Sequence, residues 1–414
     1  MPEVSLLEPV SAEASQAEWY FSSMARNLME VPAHRFPSWR PKRKRLSFHL
    51  APSQHVDLGP WHGFGWPEAD LPAASAHFDM LRRFQLEPHR AYYHRSVQVM
   101  GPQMVIGAGR TVISESTRGL GILQKSGWFR PGSRPTRLIR PERVTSTRRE
   151  GLSVVVGTRA SSAYFHWMVE MLPRLVMGAE LARQHDGTLL IRQISAAFQW
   201  ETLAAIAPGT QVAFAEADVT HCEEALFPDH MILQGEHLRV LSPLIGLGFD
   251  HLLARFRVPP VPRRRRLYIS RRDAARRHVL NEDALEPIFR RHGFEIMTLS
   301  GLSVAQQAAL FREAEIVIGL HGAGLTNMGF CQPGTPIVEI LPVGSRFLSP
   351  YYMLAGLRQL PYLCLAGHDG SGGMPDINGD YVVEPKALKA AIKAAKALPR
   401  DGGTMDPDGT GGAA

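Results

Sequence analysis

The chain has 414 residues, 44% of them hydrophobic and 21% charged, the balance of an ordinary globular protein and more length than one core usually serves. Two packed domains are therefore the default. No stretch approaches the ~20 consecutive apolar residues that span a bilayer, and Met1 to Tyr20 carries Glu3, Glu8 and Glu13 where a signal peptide would be basic and then apolar, so a cytoplasmic location is expected. Cys222, Cys331 and Cys364 are odd in number and far apart, which argues against a disulfide framework or a Cys-X-X-Cys metal site.

The net charge of +7 comes largely from arginine, with a run at Arg263 to Arg266 and pairs at Arg271/Arg272 and Arg276/Arg277. This suits phosphate-bearing or other anionic ligands and is compatible with peripheral association with an anionic membrane face. The run at 263–266 follows Pro259, Pro260 and Pro262 and reads as a solvated interdomain linker. Nucleic-acid binding would add a recognisable module with exposed aromatics, which the sequence lacks.

In chain order, residues 1–90 show no sustained period and read as an irregular, β-rich N-terminal extension. Short apolar runs between Ser96 and Ser114, separated by Gly-containing turns, read as a β-meander. Strands then alternate with helices. Leu152 to Val156, Leu189 to Ile191 and Val212 to Phe214 are strands, with helices predicted over Ser162 to Gly178, Ala196 to Ala207 and from Pro243 to Phe256. Past the linker, the strands Leu267 to Ile269, Phe294 to Thr298, Ile316 to Ile318, Ile337 to Ile340 and Tyr362 to Leu365 are separated by helices. The first of those helices, over Asn281 to His292, takes Asn281 as N-cap, and the second opens on a Ser303/Gln306 capping box. The helix Pro385 to Leu398 closes the series, and the Gly/Asp/Thr tail beyond it is expected to be disordered. The expectation is an α/β chain of two Rossmann-like lobes: residues 1–90 as extension, 91–258 and 259–398 as lobes, 399–414 as tail.

Open parallel sheets bind ligands beyond the carboxyl ends of their strands. In the second lobe those positions hold Ser270, Arg271 and Arg272, then His321, Gly322, Ala323, Gly324, Leu325, Thr326 and Asn327, and within the next strand Glu339. Gly322 and Gly324 would let backbone amides approach a phosphate, and a helix starting near Gly324 would aim its positive end there. The spacing is neither a dinucleotide G-x-G-x-x-G nor a P-loop, which weighs against a dehydrogenase or an NTPase. Glycines after a strand are more often a plain turn, and an arginine pair is more often solvated. Glu339, inside an apolar run, needs a partner, either a ribose diol or an arginine. In the first lobe His166, Glu170 and Arg174 form one polar stripe on an otherwise apolar helix. That stripe is either the edge of an internal cleft, with His166 or Glu170 as general base, or a structural Glu170–Arg174 pair with His166 bonded to backbone. The sole Asp-X-Asp, Asp406-Pro407-Asp408, lies in the tail, so no metal site is expected.

The segments "AYFHWMVEMLPRL" at 163–175, "LYISRRDAARRHVLNEDAL" at 267–285 and "LSVAQQAALFREAEIVIGLHGAGLTNMGFCQPGTPIVEILP" at 302–342 resemble, in this order, glycosyltransferase family 61, whose bacterial members are often labelled capsular-polysaccharide or DUF563-type proteins. The resemblance implies an inverting transferase of GT-B-type architecture, with a nucleotide sugar held by the second lobe and a glycan or lipid-linked acceptor served mainly by the first. The family commonly has Asp where this chain has Glu170. Without a metal, arginine and helix-end amides would have to stabilise the departing diphosphate. Two other classes remain in view at this point. A sugar-nucleotide epimerase or hydrolase would share the nucleotide pocket, and a non-catalytic polyanion-binding protein would use the arginine run.

Overall fold

The fold is that of a computed structural model. It describes the short strands Val4–Ser5, Pro9–Val10, Glu18–Ser22 and Glu30–Val31, and residues 45–399 apart from 52, 87, 110, 114–115, 117–129, 132–136, 140–143, 158–161, 235–238, 343–349 and 371–378. The expected tail at 399–414 therefore lies outside the described residues except for Pro399, as does Asp406-Pro407-Asp408. The chain forms two compact units: Met1–Gln54 with Leu86–Leu252, and His55–Gln85 with Leu253–Ala414.

In the first unit four parallel strands lie side by side in the order Val212–Ala215, Thr188–Arg192, Ser146–Val156 and Val219–Pro228. Counted along the chain this is 3-2-1-4, the order of a Rossmann half, in which the strand order reverses between the first and fourth strands. The apolar runs read from the sequence are the buried parts of these strands. Val155, Leu190, Ala213, Ala225 and Phe227 share one core. The strand Ser146–Val156 begins six residues before its apolar run, because its polar half still pairs with Val219–Pro228 on the far side of a register shift between Arg149 and Leu152. His89–Met100 adds an antiparallel strand and continues through Val105–Ala108 and Thr111–Ile113, the expected meander.

The second unit is a parallel sheet in the order Phe294–Met297, Arg265–Ile269, Ala314–Leu320, Ile337–Pro342 and Tyr362–Asp369. Along the chain this reads 2-1-3-4-5, and its switch point lies between Arg265–Ile269 and Ala314–Leu320. Helices Glu282–Arg291 and Pro385–Ala397 cover one face through Leu285, Phe289, Leu388 and Ile392, packed with Tyr268, Ile318, Val338 and Leu363.

Several sequence expectations are corrected. The segment 55–85 is not an extension outside the lobes: Trp61–Phe64 pairs parallel with Tyr362–Asp369, and helix Leu71–Arg82 buries Ala74, Phe78 and Leu81. The i, i+4, i+7 spacing of those three residues is an amphipathic stripe. Arg265 and Arg266 are not linker residues either. They open the first strand of the sheet, where Arg265 pairs with Glu295 and Arg266 makes a two-pronged contact with Glu315, both on adjacent strands. Asn281 stands at the helix start but does not cap it with its side chain. Its amide instead exchanges two hydrogen bonds with the backbone of Val383, at 2.8 and 3.0 Å. The Ser303/Gln306 capping box is present as read, with Gln306 N donating to Ser303 Oγ at 3.1 Å and Ser303 N to Gln306 Oε1 at 2.9 Å.

Candidate functional site

The first unit places its polar stripe at the strand-order reversal. Gly157 and Pro228 end the two strands that flank the reversal, and Arg174 clamps both: its guanidinium donates to Gly157 O and, at 3.0 Å, to Pro228 O. Arg174 is thus the structural member of the stripe, holding the strand ends at a fixed spacing. The helix carrying it is not a regular α-helix. Tyr164–His166 is α-helical, Trp167–Met171 is a π-helical turn in which Leu172 N donates to Trp167 O, and Leu172–Gln184 is α-helical again. Pro173 has no amide hydrogen, so the α ladder loses a donor where the helix widens. In this widened turn His166 Nδ1 donates to Glu170 Oε1. Glu170 is 0% exposed and the His166 side chain 31% exposed. The carboxylate fixes the tautomer, and Nε2, on the accessible ring, has no hydrogen-bond partner among the described residues. Such an arrangement can accept a proton, as a general base does.

In the second unit a cavity of about 170 Å³ opens at the carboxyl ends of the two strands that flank the switch point. Ser270, Arg271, Asp273, Ser300, Leu320 and Gly324 contribute to its walls. Of the residues read from the sequence, Ser270, Arg271, Gly324 and Leu325 line this space. Ser270 Oγ donates to Glu282 Oε1 at 2.7 Å and accepts from Arg272 N at 3.2 Å. Arg272 is engaged by an acidic group at the start of the next helix, 3.0 Å from Glu282 and 3.6 Å from Glu286, with Asp283 also in contact. Arg271 lies against Gly322, and a Cβ there would meet Arg271 Nη1 at 2.2 Å. The Arg271 guanidinium donates to Arg277 O at 3.0 Å and to Arg276 O at 2.9 Å, and burial followed by the Arg277 charge lowers its pKa.

The loop after the first strand is thereby folded back over the glycine turn, and it brings in a residue the sequence reading did not single out for the site. Arg277, at φ 64°, donates from Nη1 to His321 O at 3.2 Å, and its buried Nε has no hydrogen-bond partner among the described residues. Neither its pairing with Arg276 nor its spacing could have marked it, because its place depends on a left-handed backbone turn. The glycine turn leads into a 3-10 helix, Ala323–Phe330, rather than an α-helix. A Cβ at Gly324 would press on Leu299 and Ile269, Leu325 is buried, and Asn327 is a core clip, donating to Gln307 Oε1 at 2.7 Å and to Gly324 O at 3.1 Å. Asn327 and Leu325 therefore shape the turn.

The protein partners of Glu339 are a histidine and a tyrosine rather than an arginine. It is 0% exposed, His321 Nδ1 donates to its Oε1, and Tyr362 Oη donates to its Oε2 at 2.6 Å. His321 has an 11% exposed side chain, and its Nε2 has no hydrogen-bond partner among the described residues. Tyr362 could not be picked out beforehand, since its meeting with Glu339 depends on the strand register that sets Tyr362 opposite Ile337. Among the described residues no group of three or more His, Cys, Asp or Glu could hold a metal ion.

Residues 164–338, which include both histidines and the glycine turn, match the family model described as Glycosyltransferase 61. Over those residues the chain is similar to glycosyltransferase family 61. Three curated relatives are similar to parts of the chain. A "Xylan glycosyltransferase MUCI21" of Arabidopsis thaliana is 29% identical over 18% of this chain and 16% of its own length. A "Beta-1,2-xylosyltransferease XAX1" of Oryza sativa subsp. japonica is 32% identical over 32% of the chain and 24% of its own length. An "EGF domain-specific O-linked N-acetylglucosamine transferase" of Drosophila melanogaster is 34% identical over 32% of the chain and 28% of its own length. The chain thus spans less than a third of each of these relatives. The matched segment starts at Tyr164, at the head of the His166 helix, and stops at Val338, one residue before Glu339.

Proposed function

We propose that the chain is an inverting glycosyltransferase of GT-B type that moves a sugar from a nucleotide-sugar donor to a hydroxyl of a glycan or lipid-linked acceptor. The single observation that carries this reading is the cavity at the switch point of the second unit, set inside the segment similar to family 61, with Arg271 in its wall and Arg277 bonded to the carbonyl of His321, next to the lining residue Leu320. A diphosphate placed there meets fixed cations and backbone amides. The base is His166, oriented by Glu170. As the acceptor oxygen attacks the anomeric carbon, its proton passes to His166 Nε2, the bond from that carbon to the diphosphate oxygen breaks, and the diphosphate leaves with the electron pair. Fixed protein cations stabilise that charge, so transfer proceeds without a divalent metal. The reading places the protein in the cytoplasm or at the inner membrane face, in surface or capsular polysaccharide synthesis. Xylose and N-acetylglucosamine, the sugars named by the relatives, are the first donors to try.

Calorimetry of the full chain with UDP, GDP, ADP, CDP and CMP tests the reading. At least one is expected to bind, and Arg277→Ala is expected to weaken that binding by about tenfold while the protein stays folded. Failure of all five to bind, or unchanged affinity in a folded Arg277→Ala protein, contradicts it.

A further inference from the structure

The carboxylate of Glu339 is built into the protein with unusual completeness. It sits on the fourth parallel strand of the second unit with zero exposure, and each oxygen has its own donor, His321 Nδ1 on one side and Tyr362 Oη on the other. The alternation of the strand explains how it gets there: Val338 and Ile340 enter the core under the two covering helices, and Glu339 faces the opposite side. On that side Tyr362 stands diagonally across the neighbouring strand, in reach of Glu339. The ring of Tyr362 is in turn fixed by aromatic neighbours, Tyr352 at 5.4 Å and Phe78 of helix Leu71–Arg82 at 6.1 Å between ring centroids. Burial and the adjacent carboxylate push the Tyr362 phenol well above its ordinary range, so it remains a donor.

The other end of the chain of contacts is His321. Its backbone is pinned twice, by its own amide donating to Ile340 O at 3.0 Å and by Arg277 donating to its carbonyl at 3.2 Å. Its ring lies edge-on to Tyr351, whose hydroxyl donates to Gly322 O at 2.6 Å. With Nδ1 committed to Glu339, the ring can address a ligand only through Nε2, and His321 stands in sequence between Leu320, which lines the cavity, and Gly322, with its carbonyl bonded to Arg277.

We propose that Glu339 and Tyr362 are positioning residues that hold His321 so that its Nε2–H donates to an oxygen of the donor's diphosphate. This inference rests on the functional reading given above and changes the role of Glu339 from a ribose ligand to an orienting group. In the bound complex the imidazole carries protons on both nitrogens, the second taken from solvent as the anion binds, and the Glu339 carboxylate balances the added charge. Phosphate oxygen, being an acceptor only, requires that proton.

The experiment is calorimetry of the full chain at pH 8 in buffers of different ionisation enthalpy, which reads the protons taken up per ligand bound. The probe is whichever of UDP, GDP, ADP or CDP the wild type binds. The wild type is expected to take up a substantial fraction of a proton. His321→Gln should lose that uptake and bind about tenfold more weakly, and Glu339→Gln should lose most of the uptake. Tyr362→Phe keeps the aromatic packing and serves as the second variant if Glu339→Gln does not fold; it should weaken binding several-fold with a smaller uptake. A purely structural role would lower the melting temperature of these proteins and leave uptake unchanged in the folded fraction. Wild-type binding whose affinity and proton uptake are the same in His321→Gln and Tyr362→Phe overturns this inference and leaves the functional reading in place. Binding of CMP alone, which has no diphosphate, overturns this inference only, and failure of the wild type to bind any of the four or CMP overturns both.

Discussion

Two histidine–carboxylate pairs share one chemical design on different supports. His166 and Glu170 stand four residues apart on a helix, and His321 and Glu339 are brought together from adjacent parallel strands. In each the carboxylate is fully buried and the imidazole keeps some exposure. A buried carboxylate without a partner is costly, so each histidine is held in place by the need of its acid. The functional reading separates them by task, His166 taking a proton and His321 giving a hydrogen bond. His166→Gln or Glu170→Gln should therefore lower turnover ~100-fold or more with donor affinity nearly unchanged. A loss of only a few-fold in both, measured in folded protein, would remove the base from this helix. Arg174 should behave otherwise. Because it donates to the terminal carbonyls of both strands at the reversal, Arg174→Ala is expected to lower the melting temperature first, by an amount equivalent to about 3 kcal/mol.

At the level of elements, the glycine turn is the part whose purpose changes most between sequence and structure. Read from sequence, Gly322 admits a phosphate; in the fold the atoms nearest to its missing Cβ belong to Arg271. Its φ of 167° is extended backbone open to any residue, so the requirement for glycine there is one of space alone. Gly322→Ala should thus cost roughly 1–3 kcal/mol in nucleotide binding or stability, and much less when Arg271 is already alanine. A double-mutant cycle measures this coupling, and strict additivity would show that something other than Arg271 needs the space. The strands and helices of both sheets were legible because their apolar runs and the Ser303/Gln306 box are local signals. The spacing of His166 and Glu170 is a local signal too, and the two remain in contact within the π turn. What could not be read was whatever depends on register or on a turn: the partners of Glu339, the capture of Arg272 by Glu282, and the inward fold of Arg277.

For the whole molecule, the second unit is discontinuous in sequence, and this limits how it can be dissected. A fragment starting at residue 259 would lack the strand Trp61–Phe64 and the helix whose Phe78 packs on Trp61, Tyr352 and Tyr362 at 4.6, 5.1 and 6.1 Å. Phe78 is fully buried, so Phe78→Ala should destabilise the second unit by about 3–5 kcal/mol, read as a fall in denaturation midpoint. A midpoint within error of wild type would mean that the segment 55–85 contributes little to that unit. The same contact has a consequence for synthesis. Trp61 leaves the ribosome about 300 residues ahead of its partner Tyr362, which at ~5–20 residues per second is a wait of roughly 15–60 s. For that time the nascent chain carries an apolar hairpin-sized segment with an unpaired strand edge while the first unit, complete by Leu252, folds behind it. Chaperone occupancy of the nascent chain, followed by ribosome profiling, should accordingly begin soon after residue 85 emerges and end only once the strand Tyr362–Asp369 has been made.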